Sequence, residues 1–146
     1  MGNSYNGRKV TPKDLLVLPP PIILCISRGD YDKVIQEAGY MSYSLNLPLA
    51  KSLIGKEAQE IPIAISDIIK RLIPEKENIL LVNYEMLFDP RYKLDVMRLF
   101  IEISRQNKLI VKWCGTVAED TLVYSEQGYA DNNRYQIGDY DITVVK

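Results

Sequence analysis

The sequence predicts an α/β fold, a three-layer sandwich around a mainly parallel sheet of about five strands. Two observations carry this. Short continuous apolar runs, Ile22–Ile26, Ile79–Val82 and Leu109–Val111, are too short for buried helices and do not alternate, as suits strands covered on both faces. Segments with helical apolar spacing lie between them, and strands alternating with helices give parallel crossovers. At 146 residues with 47% hydrophobic and 25% charged side chains, the chain is long enough for one ordinary globular core.

In chain order, residues 1–10 are polar and read as a flexible tail, leaving 11–146 as a single α/β domain. Thr11-Pro12-Lys13-Asp14 has the spacing of a capping box and opens a short helix through Leu18. Pro19-Pro20-Pro21 ends it, and the apolar run 22–26 forms the first strand. Asp30 or Asp32 caps the next helix, with Tyr31, Val34, Ile35 and Ala38 on one face and Gly39 as its stop. A strand fits Met41–Leu45. A helix follows, with Pro48 near its start and Gly55 past its end.

Residues 61–65 are ambiguous between strand and entry loop. Ser66 then caps a helix with Ile65, Ile68, Ile69, Leu72 and Ile73 on one stripe. The strand 79–82 ends at Asn83-Tyr84-Glu85. A helix from about Tyr92 to Arg105 has apolar residues around more than one stripe, as deep packing requires. The strand 109–113 ends at Cys114-Gly115. Residues 119–134 read as a polar loop with one helical turn, and 135–145 as a final strand or hairpin.

The charge pattern excludes several functions. With 18 basic and 19 acidic side chains the net charge is -1, so no global field draws the chain to DNA or an anionic membrane. No apolar run approaches the ~20 residues that span a bilayer, and the N-terminus lacks a signal-peptide core. The two cysteines form no disulfide framework. These features predict a cytoplasmic protein without a membrane partner. There are no histidines, which removes Ser-His, Cys-His and His-zinc chemistry.

The segment Ser27-Arg28-Gly29-Asp30-Tyr31-Asp32-Lys33-Val34 follows a strand and opens a helix, the setting of the phosphate-binding loop G-x-x-x-x-G-K-[ST]. Lys33 matches the lysine. Ser27 replaces the first glycine, Asp32 the second, and Val34 the magnesium-binding hydroxyl. In P-loop ATPases of the additional-strand type, an acidic strand end and a polar sensor strand end complete the site. Here Asn83 stands where the Walker B aspartate is wanted and cannot supply its charge, with Glu85 two residues on as a candidate base. Cys114 stands at the sensor position, a weakly polar substitute. Arg105 is a candidate arginine finger, against a helix C-terminus favoured by the dipole. An aspartate at position 32 among phosphate-facing N–H groups would repel the ligand, and Lys33 could instead pair with Asp30 or Asp32. Tyr124, Tyr129, Tyr135 and Arg134 could stack bases, although packing or a protein interface suits them better without a basic surround.

The succession Ile79-Leu80-Leu81-Val82-Asn83-Tyr84-Glu85-Met86-Leu87-Phe88-Asp89-Pro90, then Leu99, Ser104-Arg105, Trp113-Cys114-Gly115, and Leu122-Val123-Tyr124-Ser125-Glu126 with Gly128, Arg134 and Tyr135, resembles the BrxF family of small P-loop proteins from type 3 BREX phage-defence systems. The resemblance covers roughly Pro21 to Tyr135. It implies a P-loop NTPase-like, AAA-like fold and a place in a multi-protein defence complex that distinguishes self from phage DNA. Family members usually carry an intact phosphate loop, from which this chain departs at Ser27, Asp32 and Val34. The resulting expectation is a non-hydrolysing P-loop domain acting as a binding or scaffold subunit, with other subunits of a defence or DNA-processing complex, or further copies of itself, as partners. No cofactor or metal is expected. The alternatives are an ATPase or nucleotide switch binding Mg-ATP through Lys33 and Glu85, and an unrelated α/β protein. The P-loop reading further requires the strand at 22–26 to be central and flanked by the strands at 79–82 and 109–113.

Overall fold

The computed structural model describes residues 1–125 and 132–146. Among them the chain forms an α/β fold whose main sheet has six strands, all parallel, in the order β1-β9-β2-β5-β4-β3. These are β1 Asn3–Tyr5, β2 Ile22–Leu24, β3 Met41–Ser44, β4 Asn78–Val82, β5 Lys108–Lys112 and β9 Thr143–Val145. A small antiparallel sheet of β6 Thr116–Ala118, β7 Thr121–Ser125 and β8 Asn132–Gln136 lies between β5 and β9 in the chain.

Helices cover both faces of the main sheet. On one, α1 (Pro12–Val17) and α2 (Gly29–Glu37) bury Leu15, Tyr31 and Ile35 against Ile22, Leu24, Ile110 and Val145. On the other, α3 (Asn46–Leu53), α4 (Ile61–Leu72) and α5 (Val96–Ser104) close over Ile23, Ile79, Leu81, Leu109, Val111 and Val144. Successive strand residues alternate between the two cores, which is why β2 and the centre of β5 read as continuous apolar runs. The small sheet joins the larger core through Leu122 and Tyr135.

The segment expected as a flexible tail instead supplies an edge strand: Asn3, Ser4 and Tyr5 pair with Thr143, Val144 and Val145. No apolar run announces β1, because its three side chains are all exposed; its partner is 140 residues away. This strand also takes the main sheet from the expected five strands to six. α4 starts at Ile61 rather than after Ser66, since Ile61 and Ala64 extend its apolar face into the core margin. α5 starts at Val96, where the Asp95 side chain accepts the Arg98 N–H; two 3-10 turns, Glu85–Phe88 and Pro90–Tyr92, precede it. The expected loop 119–134 contains β7 and the start of β8. Glu126, Gly128 and Tyr129 lie outside the described residues.

β2 is central, but its neighbours are β5 and β9. β4, expected beside it, pairs with β5 one place further out. The C-terminal strand, read from sequence only as a final strand or hairpin, takes that position because Thr143 and Val144–Val145 are buried throughout.

Candidate functional site

The candidate residues sit at the carboxyl ends of three adjacent strands, β2, β5 and β4. β2 ends at Leu24 and α2 begins at Gly29, so six of the eight residues from Ser27 to Val34 are helical. A phosphate cradle needs successive backbone N–H groups turned toward one centre. Here the Asp32 N–H donates to the Arg28 carbonyl at 3.1 Å as an ordinary helical bond. The Tyr31 N–H donates at 3.1 Å to the Asp30 carboxylate.

The two aspartates also have cationic partners. Arg28 Nε donates to Asp30 Oδ1 at 2.9 Å, and its Nη2 pairs with Oδ2. That hydrogen bond lowers the Asp30 pKa and raises that of Arg28. Asp32 lies 3.5 Å from Lys112 Nζ on β5. The expected pairing of Lys33 with Asp30 or Asp32 is therefore not formed. Lys33 is exposed and has no ion pair among the described residues. Ser27 is exposed, and Val34 is half-buried on α2.

Arg28 and Tyr31 instead hold the N-terminal segment. Arg28 Nη1 donates to the carbonyls of Gly7 at 2.6 Å and Val10 at 3.3 Å, while the fully buried Tyr31 hydroxyl lies 2.6 and 2.7 Å from the same two oxygens. The guanidinium also stacks over the Tyr31 ring at 4.2 Å. The donors at this strand end are thus directed at backbone carbonyls of the same chain. Burial raises the Tyr31 pKa, so the phenol stays a donor.

At the end of β4, Asn83 adopts φ +48, a left-handed conformation that asparagine tolerates better than most residues. Its Nδ2 donates to Ser44 Oγ at 2.9 Å, and its carbonyl accepts the Asn46 N–H at 2.7 Å. Asn46 Nδ2 donates to Glu85 Oε2 at 2.8 Å, while Asn46 Oδ1 accepts the Met86 N–H at 3.1 Å. Asn83 and Glu85 are consequently tied to the β3–α3 junction. Asn46 was missed by sequence reasoning; its signal, an asparagine just past a strand end, is too common to point to a partner 39 residues away.

Tyr84 joins β4 to β5. Its side chain is 1% exposed; the hydroxyl donates to the Lys112 carbonyl at 2.6 Å and accepts the Cys114 N–H at 3.1 Å. Burial pushes its pKa far above the usual tyrosine range, and the Cys114 thiol up to about 11. The end of β5 thus presents a neutral thiol beside a neutral phenol. Arg105 is remote from this cluster: it follows α5 and precedes β5, at the opposite end of the strand from Cys114. Tyr135 is buried against Phe88 and Tyr140, and Tyr124 stacks on Phe88 at 4.0 Å, so these rings serve packing, while Arg134 is exposed.

At these positions the neutral Asn83 amide donates to Ser44, and Asp30 and Asp32 occupy the first turn of α2. Among the described residues no group of three His, Cys, Asp or Glu side chains could hold a metal ion, and no helix is long and apolar enough to cross a membrane. Comparison with protein-family models, with curated proteins and with solved structures yields no match to this chain.

Proposed function

We propose that this chain is a P-loop-like α/β domain without nucleotide hydrolysis, serving as a binding or scaffold subunit in a phage-defence assembly of the BREX kind or a related DNA-processing complex. The observation that carries the reading is the use of the loop after β2. Arg28 and Tyr31 grip the Gly7 and Val10 carbonyls, and Asp30 takes a helix-terminal N–H that a phosphate would need.

The strand order supports the reading in part: β2 is central, but its second neighbour is β9 rather than β4, so only β5 meets the flanking required of a P-loop strand. β5 lies between the loop strand β2 and the Walker B-like strand β4, the inserted strand for which the additional-strand class is named. The chain leaves β2 toward the α2 face, and leaves β5 toward the face of the small sheet. The β2/β5 boundary is thus a topological switch point, where open α/β sheets form their ligand crevice. The sequence resemblance adds the defence setting. A nucleotide switch remains the second reading because Lys33 has no ionic partner among the described residues.

Calorimetric titration with Mg-ATP and a non-hydrolysable analogue, on the wild-type chain and Lys33→Ala, separates the two. The scaffold reading expects no heat of binding below a Kd of about 1 mM. Micromolar binding abolished by Lys33→Ala would overturn it.

A further inference from the structure

Residues 38–50 contain no charged side chain, in a chain that is 25% charged. This neutral stretch forms β3 and most of α3, and among the described residues β3 is the outer strand of the main sheet, paired only with β4. Its other side is a row of backbone donors and acceptors. Exposed edges are usually blunted by lysine, proline or a bulge, yet Met41-Ser42-Tyr43-Ser44 has neither lysine nor proline and pairs with β4 residue for residue. Met41 is 40% exposed, and in the helix that follows β3 Leu47 is 64% exposed and the C-cap residue Ile54 79%. Leu47 on α3 and its C-cap Ile54 are seven residues apart and share a side of the helix with the exposed Lys51 between them, while Leu49 and Leu53 face the core.

We infer that β3 and the outer stripe of α3 form the interface with a second copy of this chain, as an antiparallel β3–β3 pair about a two-fold axis perpendicular to the sheet. Such an axis keeps each face of the sheet continuous between copies, so residues of equal parity oppose each other. One register sets Ser42 against Ser42 of the second copy and Met41 against Tyr43. Hydroxyl and apolar pairs of this kind stabilise cross-strand contacts, and no like charges meet. Met41 and Tyr43 lie on the same sheet face as Ile79 and Leu81, the face that α3 covers. The two-fold therefore keeps α3 of both copies on one face of the shared sheet, and the proposed dimer sets their exposed Leu47 and Ile54 side chains toward each other. The interface is isologous and closes at a dimer.

The opposite edge is less suited to self-pairing. β1 has three residues and is bordered by Arg8, Lys9 and, through β9, Lys146, which a two-fold would bring near their own mates.

Analytical ultracentrifugation of the full chain from ~1 to ~100 µM should show a concentration-dependent dimer. Ser42→Lys and Ser42→Glu should each raise the dimer Kd at least ~10-fold through like-charge opposition, and their equimolar mixture should restore a heterodimer. Ser42 is exposed, and circular dichroism checks that each variant is folded. Should either fail to fold, Leu47→Glu reads the same interface from an exposed helix position and should weaken the dimer comparably. A wild-type chain that stays monomeric to ~100 µM, including one whose β3 edge takes a peptide of another protein instead, overturns the proposal. So does a dimer whose Kd neither the folded Ser42 variants nor Leu47→Glu alter. None of these outcomes depends on the nucleotide titration.

Discussion

Replacing Tyr84 by phenylalanine removes one oxygen from the junction of β4 and β5 and leaves the ring in place. The ring keeps its edge contact with Phe100, 5.5 Å between centroids at 88°, so little apolar burial changes. Lost are the donation to the Lys112 carbonyl and the acceptance from the Cys114 N–H. Two neutral hydrogen bonds contribute about 0.5–1.5 kcal/mol each, and a buried partner left unsatisfied costs about 1–3 kcal/mol. Because water can partly reach the strand end, the expected loss is about 1–3 kcal/mol. In urea this should lower the unfolding midpoint with an unchanged slope, and on heating it should lower Tm by roughly 3–10 °C. The pH profile gives a second signature. Burial raises the Tyr84 pKa, so the stability gained by keeping the phenol neutral is present below the unfolded value of about 10 and is lost as pH rises above it. Tyr84→Phe should lack that part of the alkaline loss. A destabilisation under about 0.5 kcal/mol would show that the hydroxyl does not bridge the two strands, and would refute the argument.

Two further perturbations address the same end of the sheet. Burial pushes the Cys25 and Cys114 thiols up to about 12 and about 11; iodoacetamide at pH 8 should therefore alkylate the native chain at least ~10-fold more slowly than the urea-unfolded chain. Their contribution to stability is complete below about pH 9 and falls as pH rises toward the folded values, and equal alkylation rates would contradict this. Gly7→Ala would place a Cβ 2.6 Å from the Lys146 carbonyl oxygen and 2.7 Å from the Ile26 side chain. The β1 segment must shift, weakening the Gly7 N–H bond to Lys146 at a cost of roughly 1–3 kcal/mol. Amide exchange should then be faster at position 7 and at Lys146 than in the wild-type chain, but not in β4; unchanged protection at these two would refute the close approach.

What the sequence alone determined was local. The Thr11–Asp14 spacing specified a capping box that is present, with Asp14 N–H donating to Thr11 Oγ1 at 3.1 Å. Gly39 and Gly55 end α2 and α3 at φ +83 and +84, as residues without a Cβ can. Apolar runs marked β2 and β5 because both faces of these strands are covered, and β4 because one face is buried and the other half-buried. Each such feature depends on neighbours within a turn of helix or on burial of a single segment, and so leaves a pattern in the chain. The tertiary structure alone decided which distant groups meet. β1 has no apolar signature and exists only because β9 offers it an edge. Asp32 is paired by Lys112 rather than by adjacent Lys33, since a helix turns consecutive side chains apart while the sheet brings Lys112 beside α2. The carbonyls of Gly7 and Val10 at Arg28, and Asn46 between Asn83 and Glu85, are likewise set by strand order. Periodicity records which face of an element is buried; it contains no term for which element lies against it.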